Sequence, residues 1–285
     1  MKIGLLGTGL MGEPMALRFI AAGHQVTAYN RTASKLEAIA TAGGTTTTQA
    51  AEVLQAAEVV ILMLSDRAAI DAVLWQDEVT KQIAGQTFIQ MGTIAPQESR
   101  DLAAKIRAAG GDYLEATVLG SIPQVKTGTL LVMVGCDMPQ QYMNYTTLFK
   151  VLGEKPIHVG KIGAAAALKL ALNQLIGSLT TAFALSLTFV QTEGLDVDIF
   201  MNILRESALY APTFDKKLQR MVDEDFANPN FPTKHLLKDM ELFQDATPGY
   251  QNDLVQGVIT VLKTAIASGY QEDDYSALFT AIAPN

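Results

Sequence analysis

Two features of this sequence could do chemistry: a glycine-rich turn close to the first residue, and a lysine stranded in an apolar helix pattern. The turn, Gly7-Thr8-Gly9-Leu10-Met11-Gly12, follows the apolar run Lys2–Leu6 and precedes a helical pattern over Pro14–Ala22 that Gly23 ends. A GxGxxG spacing is a weak signal alone and a strong one between an N-terminal strand and a helix. The chemistry suits a dinucleotide. Gly7 permits a tight turn, Gly9 lets the backbone approach a pyrophosphate, and Gly12 lets helix and strand pack closely, while the helix N-terminus supplies N–H donors and a positive dipole end.

The end of the next expected strand, Gln25–Tyr29, bears on which dinucleotide. An NAD site usually presents Asp or Glu there to the ribose 2′-hydroxyl, whereas this chain reads Asn30-Arg31-Thr32 with Lys35 one turn on. Arg31 offers a planar fork to a 2′-phosphate, Thr32 a hydroxyl and Asn30 an amide, with no carboxylate to repel it. NADP(H) is therefore expected in preference to NAD(H).

The lysine is Lys169. Residues 164–193 read as one helix of about 30 residues, about 45 Å long, and Lys169 is the one charge between Lys161 and Glu193. A lysine on a helix is ordinarily a solvated surface residue, but burying an ammonium unpaired is costly, so its isolation in an apolar helix makes it a candidate site. Asn173 lies four residues on and shares its helix face. Leu170–Val190 is 21 residues without a charge, long enough to span a bilayer. Asn173, Gln174, Ser178, Thr180, Thr181, Ser186 and Thr188 interrupt it, however, and no basic cluster flanks it. A helix apolar on nearly all sides instead predicts burial in a core or an oligomer interface, a homodimer or homotetramer, and no membrane.

These groups need elements to hold them. The chain has 285 residues and is 49% hydrophobic, enough for a sizeable core in one or two domains, and its formal charge of -8 argues against a nucleic-acid partner. Cys136 is the single cysteine, and Met1 runs directly into a strand pattern, so the expected location is cytoplasmic. No Cys/His cluster has metal-ligand spacing, and no metal is expected.

Strand-like runs at Val59–Leu64, Thr87–Met91, Tyr113–Ala116, Leu130–Val134 and Pro156–Val159 alternate with helical patterns at Gln49–Ala56, Ala68–Trp75, Pro96–Ala109 and Pro139–Leu152. Runs apolar on both faces and separated by helices predict an α/β fold, a Rossmann-type doubly wound parallel sheet covered on both sides. Ligands of such sheets bind outside the strand C-termini, where Met63, Leu64, Thr93 and Leu119-Gly120-Ser121 fall. Beyond the long helix, Val197–Ser207, Thr213–Val222, Thr233–Ala246, Leu254–Ser268 and Tyr275–Ala283 all read as helices. The expected organisation is a dinucleotide-binding domain over 1–162 and an all-α C-terminal domain over 163–285, opening with the long central helix.

With these motifs assembled, the sequence resembles the 3-hydroxyisobutyrate dehydrogenase family of β-hydroxyacid dehydrogenases, over essentially the whole chain. It looks closest to the NADPH-preferring branch that reduces glyoxylate and succinic semialdehyde. Leu10-Met11-Gly12-Glu13-Pro14-Met15 matches the family's first turn, and Asn30-Arg31-Thr32 matches the branch. The resemblance implies that Thr93 lies by the nicotinamide and that Lys169 and Asn173 are the catalytic lysine and its companion. It also implies that the Lys238-Asp239 pair faces the cofactor, and that Glu115-Ala116-Thr117-Val118-Leu119-Gly120-Ser121 with Gly128-Thr129-Leu130 forms the substrate loop.

Two residues depart from that pattern. Leu119 stands where a serine hydroxyl usually meets the substrate carboxylate, and Thr117 replaces a proline. A carboxylate would rely on backbone N–H groups near Gly120 and Ser121, the Ser121 hydroxyl and Asn173, and selectivity on how Leu119 and Phe231 are placed. The resemblance implies reduction of a small aldehydo- or oxo-carboxylic acid with Lys169 as proton donor. The alternatives are an imine reductase on the same fold, whose members usually carry Asp or Tyr in place of this lysine, and a non-catalytic NADP-binding scaffold. Without the family, Thr93 reads as a cap of the helix starting near Pro96, and Met63 as core filling.

Overall fold

Val59–Leu62 shows how the sequence builds its first half. Val59 and Ile61 are buried in one hydrophobic cluster and Val60 and Leu62 in another, so the two sides of one strand feed two cores. The computed structural model describes residues 1–282. These form two compact units, one from Met1 to Lys169 and one from Leu170 onward; the division falls inside the long helix rather than ahead of it.

The first unit is an eight-stranded sheet of β1 (Lys2–Leu6), β2 (Gln25–Tyr29), β3 (Thr45–Thr47), β4 (Val59–Leu62), β5 (Thr87–Gln90), β6 (Asp112–Leu119), β7 (Leu131–Gly135) and β8 (Ile157–Gly160). Its spatial order is β3-β2-β1-β4-β5-β6-β7-β8. Helices α1 (Gly12–Ala21), α2 (Glu37–Thr41), α3 (Ala50–Ala56), α4 (Arg67–Leu74), α5 (Asp77–Thr80), α6 (Pro96–Ala108), α7 (Ile122–Thr127) and α8 (Pro139–Leu152) intervene. The Rossmann-type expectation is met, with one difference. Every pairing is parallel except β6 with β7. The β6–β7 connection holds only the six-residue α7, about 9 Å of helix, too short to carry the chain back along the sheet for a parallel crossover. The three-residue edge strand β3 escapes sequence reading because so short a run sets no period.

The long helix, α9 (Ala164–Thr192), starts in the first unit and continues into the second, which adds α10 (Val197–Glu206), α11 (Pro212–Val222), α12 (Thr233–Ala246) and α13 (Asp253–Ala267). The segment expected as a last α-helix is instead a 3-10 helix over Tyr275–Ala281, and Ala283, where that expectation ends, lies outside the described residues. Phe183 of α9 stacks on Phe214 of α11 with ring centroids 4.7 Å apart, in a core shared with Met201, Met240 and Leu262. Among the described residues α9 is the one helix with the length and apolarity of a membrane span, yet Phe183, Ala184 and Leu187 are buried in this core.

A buried ion pair in the second unit has no counterpart in the sequence reading. Lys217 Nζ lies 2.6 Å from Asp274 Oδ1, with side-chain exposures of 9% and 0%, and 4.1 Å from the centroid of the Tyr275 ring. Asp274 also accepts from the backbone N–H and hydroxyl of Ser276 and from the Asn230 N–H. Burial opposes its ionisation, but the Lys217 charge and these hydrogen bonds outweigh that and hold the carboxyl below its ordinary range. The folded state thus binds fewer protons than the unfolded state near pH 4; the stabilisation is complete above the ordinary carboxyl value of 3.8 and fades as pH falls through the lower folded value. Lys217→Ala, which leaves Asp274 buried and unpaired, is expected to cost about 3–5 kcal/mol in urea unfolding, and Asp274→Asn should flatten the acid limb of the stability profile.

Candidate functional site

Strands β1, β4, β5 and β6 run parallel as neighbours, so their C-terminal ends share one edge of the sheet. That topology gathers the glycine turn after β1, Met63 and Leu64 after β4, Thr93 after β5 and Leu119-Gly120-Ser121 at the end of β6. β2, parallel to β1, brings Asn30–Lys35 to the same edge.

The glycine turn is built as a phosphate cradle. Gly7 has φ +105°, and its N–H donates to the Tyr29 carbonyl at 3.2 Å. A Cβ at Gly12 would run into the Gly7 carbonyl oxygen, so internal packing alone demands that glycine. Gly9 differs: it is exposed, and a Cβ there would meet nothing in the protein within 4 Å. Space beside Gly9 that the chain leaves empty is what a pyrophosphate lying on the backbone requires. Met11, at the N-cap of α1, makes no side-chain capping bond; the Glu13 N–H donates to the Gly9 carbonyl and Pro14 has none, so the Gly12 N–H is the first-turn donor left to an anion. The residues fit a dinucleotide.

Thr8 and Asn30 lock this turn to the loop after β2. Asn30 Nδ2 donates to Thr8 Oγ1 at 2.8 Å, the Thr8 hydroxyl donates to the Lys35 carbonyl at 3.2 Å, and Asn30 Oδ1 accepts the Thr32 N–H at 2.9 Å. Thr8 is buried, so these two residues shape the loop while Arg31, Thr32 and Lys35 stand exposed on it. Leu10 is exposed at the tip of the glycine turn.

After β5, Ala95 occupies the N-cap of α6, and its N–H donates to Glu98 Oε2 at 2.8 Å. The capping position is thus not Thr93, which is half-buried two residues upstream. After β6, Leu119 is half-buried and Gly120 exposed. Ser121 is less available than the sequence suggests: its N–H and its hydroxyl both donate to Gln124 Oε1, at 2.9 and 3.1 Å, at the start of α7. The Thr117 hydroxyl donates to the Ala165 carbonyl. Both Ser121 donors, expected to meet a carboxylate, are engaged at their own helix start in this structure.

Lys169 and Asn173 lie one turn apart on α9, as expected, with Lys169 half-buried. Within the second unit Asn173 is fully buried, and its Nδ2 donates to Asp239 Oδ2 at 2.5 Å. Lys238 Nζ lies 2.8 Å from the other oxygen of Asp239. The Lys238-Asp239 pair is thus joined to the asparagine by a buried carboxylate, a link that i,i+4 spacing does not reveal. Asn173 Oδ1 is a buried acceptor with no partner in the protein among the described residues, a group whose cost a ligand donor would relieve. Phe231 is half-buried and edge-to-face with Tyr275 at 5.8 Å.

Two family models match the chain. Residues 2–160 match the NAD binding domain of 6-phosphogluconate dehydrogenase, and residues 163–282 match the NAD-binding domain of NADP-dependent 3-hydroxyisobutyrate dehydrogenase. Glyoxylate/succinic semialdehyde reductase 1 of Arabidopsis thaliana is 31% identical over 288 residues, covering 99% of this chain and 98% of that protein. The solved 3-hydroxyisobutyrate dehydrogenase of Mycobacterium tuberculosis with L-serine superposes with a TM-score of 0.88 over 99% of each chain, at 24% identity. An imine reductase from Myxococcus stipitatus in complex with NADP+ gives 0.69 at 20% identity, over 99% of this chain and all of its own. At such identities the structural likenesses speak for the fold.

The contrast between two glycines supplies a test. Gly9→Ala is expected to keep the parental melting temperature and to weaken dinucleotide binding about tenfold or more, about 1.4 kcal/mol, by fluorescence titration. Gly12→Ala should lower the melting temperature itself.

Proposed function

The chain belongs to the 3-hydroxyisobutyrate dehydrogenase family and is a nicotinamide-dependent β-hydroxyacid dehydrogenase; from that premise we propose that it reduces a small aldehydo- or oxo-carboxylic acid to the hydroxy acid, using NADPH and with Lys169 as proton donor. The observation that carries the reading is the match along the whole chain to a glyoxylate/succinic semialdehyde reductase, in a sequence that keeps a half-buried lysine one turn into α9.

The nicotinamide, when bound, supplies the hydride. The chain has to hold a carbonyl and manage one proton. The Lys169 ammonium hydrogen-bonds the carbonyl oxygen, stabilises negative charge as it develops there and delivers the proton; in the oxidation direction the neutral amine takes it back. Asn173, fixed by Asp239 on the same helix face, orients the substrate. Thr93, Met63 and Leu64 line the cofactor side, and Lys238 meets the cofactor. Leu119 offers no donor and those of Ser121 are taken up by Gln124, which favours a bulkier or less polar group beside that loop, with Phe231 as a further determinant of shape.

NADP(H) preference is supported by Arg31, Thr32 and Lys35, exposed where β2 ends with no carboxylate at 30 to 32. Self-association as a homodimer or homotetramer is supported by an apolar stripe along α9. Leu168, Leu175, Leu179, Leu185 and Phe189 are 38–62% exposed at spacings of four to seven residues, and Ile199 and Ile203 on α10 are also exposed. We take this stripe as covered by a second copy rather than by lipid, and the protein as cytoplasmic.

Lys169→Ala is expected to keep NADPH binding and to lose about 10²–10⁴-fold in turnover over a panel holding glyoxylate, succinic semialdehyde and a cyclic imine; parental rates would remove Lys169 from the chemistry, and turnover of the imine alone would favour C=N reduction. Arg31→Ala should raise the Kd for NADPH about tenfold or more, the loss of a charge-assisted contact, and leave that for NADH nearly unchanged. Equal losses for both would remove the preference.

A further inference from the structure

Helix α9 has no cap of its own. The first turn of any helix leaves N–H groups without intrahelical partners, and the residues before α9, Gly160-Lys161-Ile162-Gly163, include none of the side chains that usually satisfy them. The partner comes from strand β6. Glu115 is fully buried, and its Oε2 accepts the Ala165 N–H at 3.1 Å; the N–H groups of Gly163 and Ala166 also favour its carboxylate. Two residues along the same face of β6, Thr117 is 1% exposed and its Oγ1 donates to the carbonyl of Ala165 at 3.1 Å. One residue of α9 is thereby held through both of its backbone groups by one strand.

Ala165 lies four residues before Lys169, so the two stack on one helix face a turn apart. Leu119, the next residue on that face of β6, ends the strand at the sheet edge that gathers the glycine turn. We propose that Glu115 and Thr117 are positioning residues: by clamping Ala165 they fix the rotation and axial placement of the first turn of α9, and so aim Lys169. This rests on the reading of Lys169 as proton donor. The clamp acts against a cost, because burial pushes the Glu115 carboxyl above its ordinary range even with hydrogen bonds from Ser99 and the α9 backbone opposing it. Packing alone would have been served by an apolar side chain.

The test uses the full chain with NADPH and two probe substrates, glyoxylate and succinic semialdehyde. Thr117→Val keeps the side-chain shape and removes the donor. The expected result is a fall in kcat of about tenfold with KM and the Kd for NADPH held within about twofold, and recovery in Thr117→Ser. Glu115→Ala should lose more, and Glu115→Gln, which keeps an acceptor oxygen, less. Hydrogen exchange over 160–175 reads the clamp without any substrate, and should quicken in Thr117→Val. A parental kcat in Thr117→Val, unchanged exchange, or a loss of NADPH affinity in step with kcat would each overturn the proposal. Loss of turnover in Lys169→Ala beside a fully active Thr117→Val rejects the clamp alone, whereas a fully active Lys169→Ala rejects the reading beneath it.

Discussion

Parallel alignment of β1, β4, β5 and β6 is the constraint on which the rest depends. It turns separate stretches of sequence into one row of loops, because every strand that runs the same way delivers its end to the same edge. The alignment needs strands buried on both sides, and the sequence meets that need with runs such as Val59–Leu62, whose alternate residues enter two different cores. The single reversal, β7 against β6, comes after the loop at Leu119–Ser121 has already been placed.

Polar groups in the second unit follow a different economy. Asn173–Asp239–Lys238 and Lys217–Asp274–Ser276 are both buried clusters in which a carboxylate is approached from more than one direction. They contrast in completeness. Asp274 accepts from three neighbouring residues and anchors the start of the last 3-10 helix, whereas the Asn173 cluster leaves two buried acceptors, Asn173 Oδ1 and Asp239 Oδ1, without a hydrogen-bond partner among the described residues. A cluster that closes on itself contributes to stability, and one left open keeps buried acceptors for which the described residues supply no hydrogen bond.

What the sequence made legible was what local pattern can encode. The glycine turn, the strand and helix around it, the long helix and the shared face of Lys169 and Asn173 all follow from residue type and a period of two or 3.6. What it hid was tertiary. Glu115 gives no sign that it serves a helix 50 residues away, and Asp239 stands next to Lys238 in sequence while its buried oxygen belongs to Asn173. Ser121 reads as a ligand donor because its type allows it; its bonds to Gln124, three residues on, are a capping arrangement that spacing does hint at. The reversed β7 was hidden because an apolar run carries no direction.

The bond from Asn30 to Thr8 ties the loop after β2 to the glycine turn. A site for an unphosphorylated ribose ordinarily presents an acid at the end of β2. Here an aspartate at position 30 would compete for the single hydroxyl hydrogen of Thr8, which now goes to the Lys35 carbonyl. The loop that carries Arg31 would lose one of its tethers in the same step that gained the new acid. An acid at that position would act on the glycine turn as well as on the ribose edge, because Thr8 ties the one to the other.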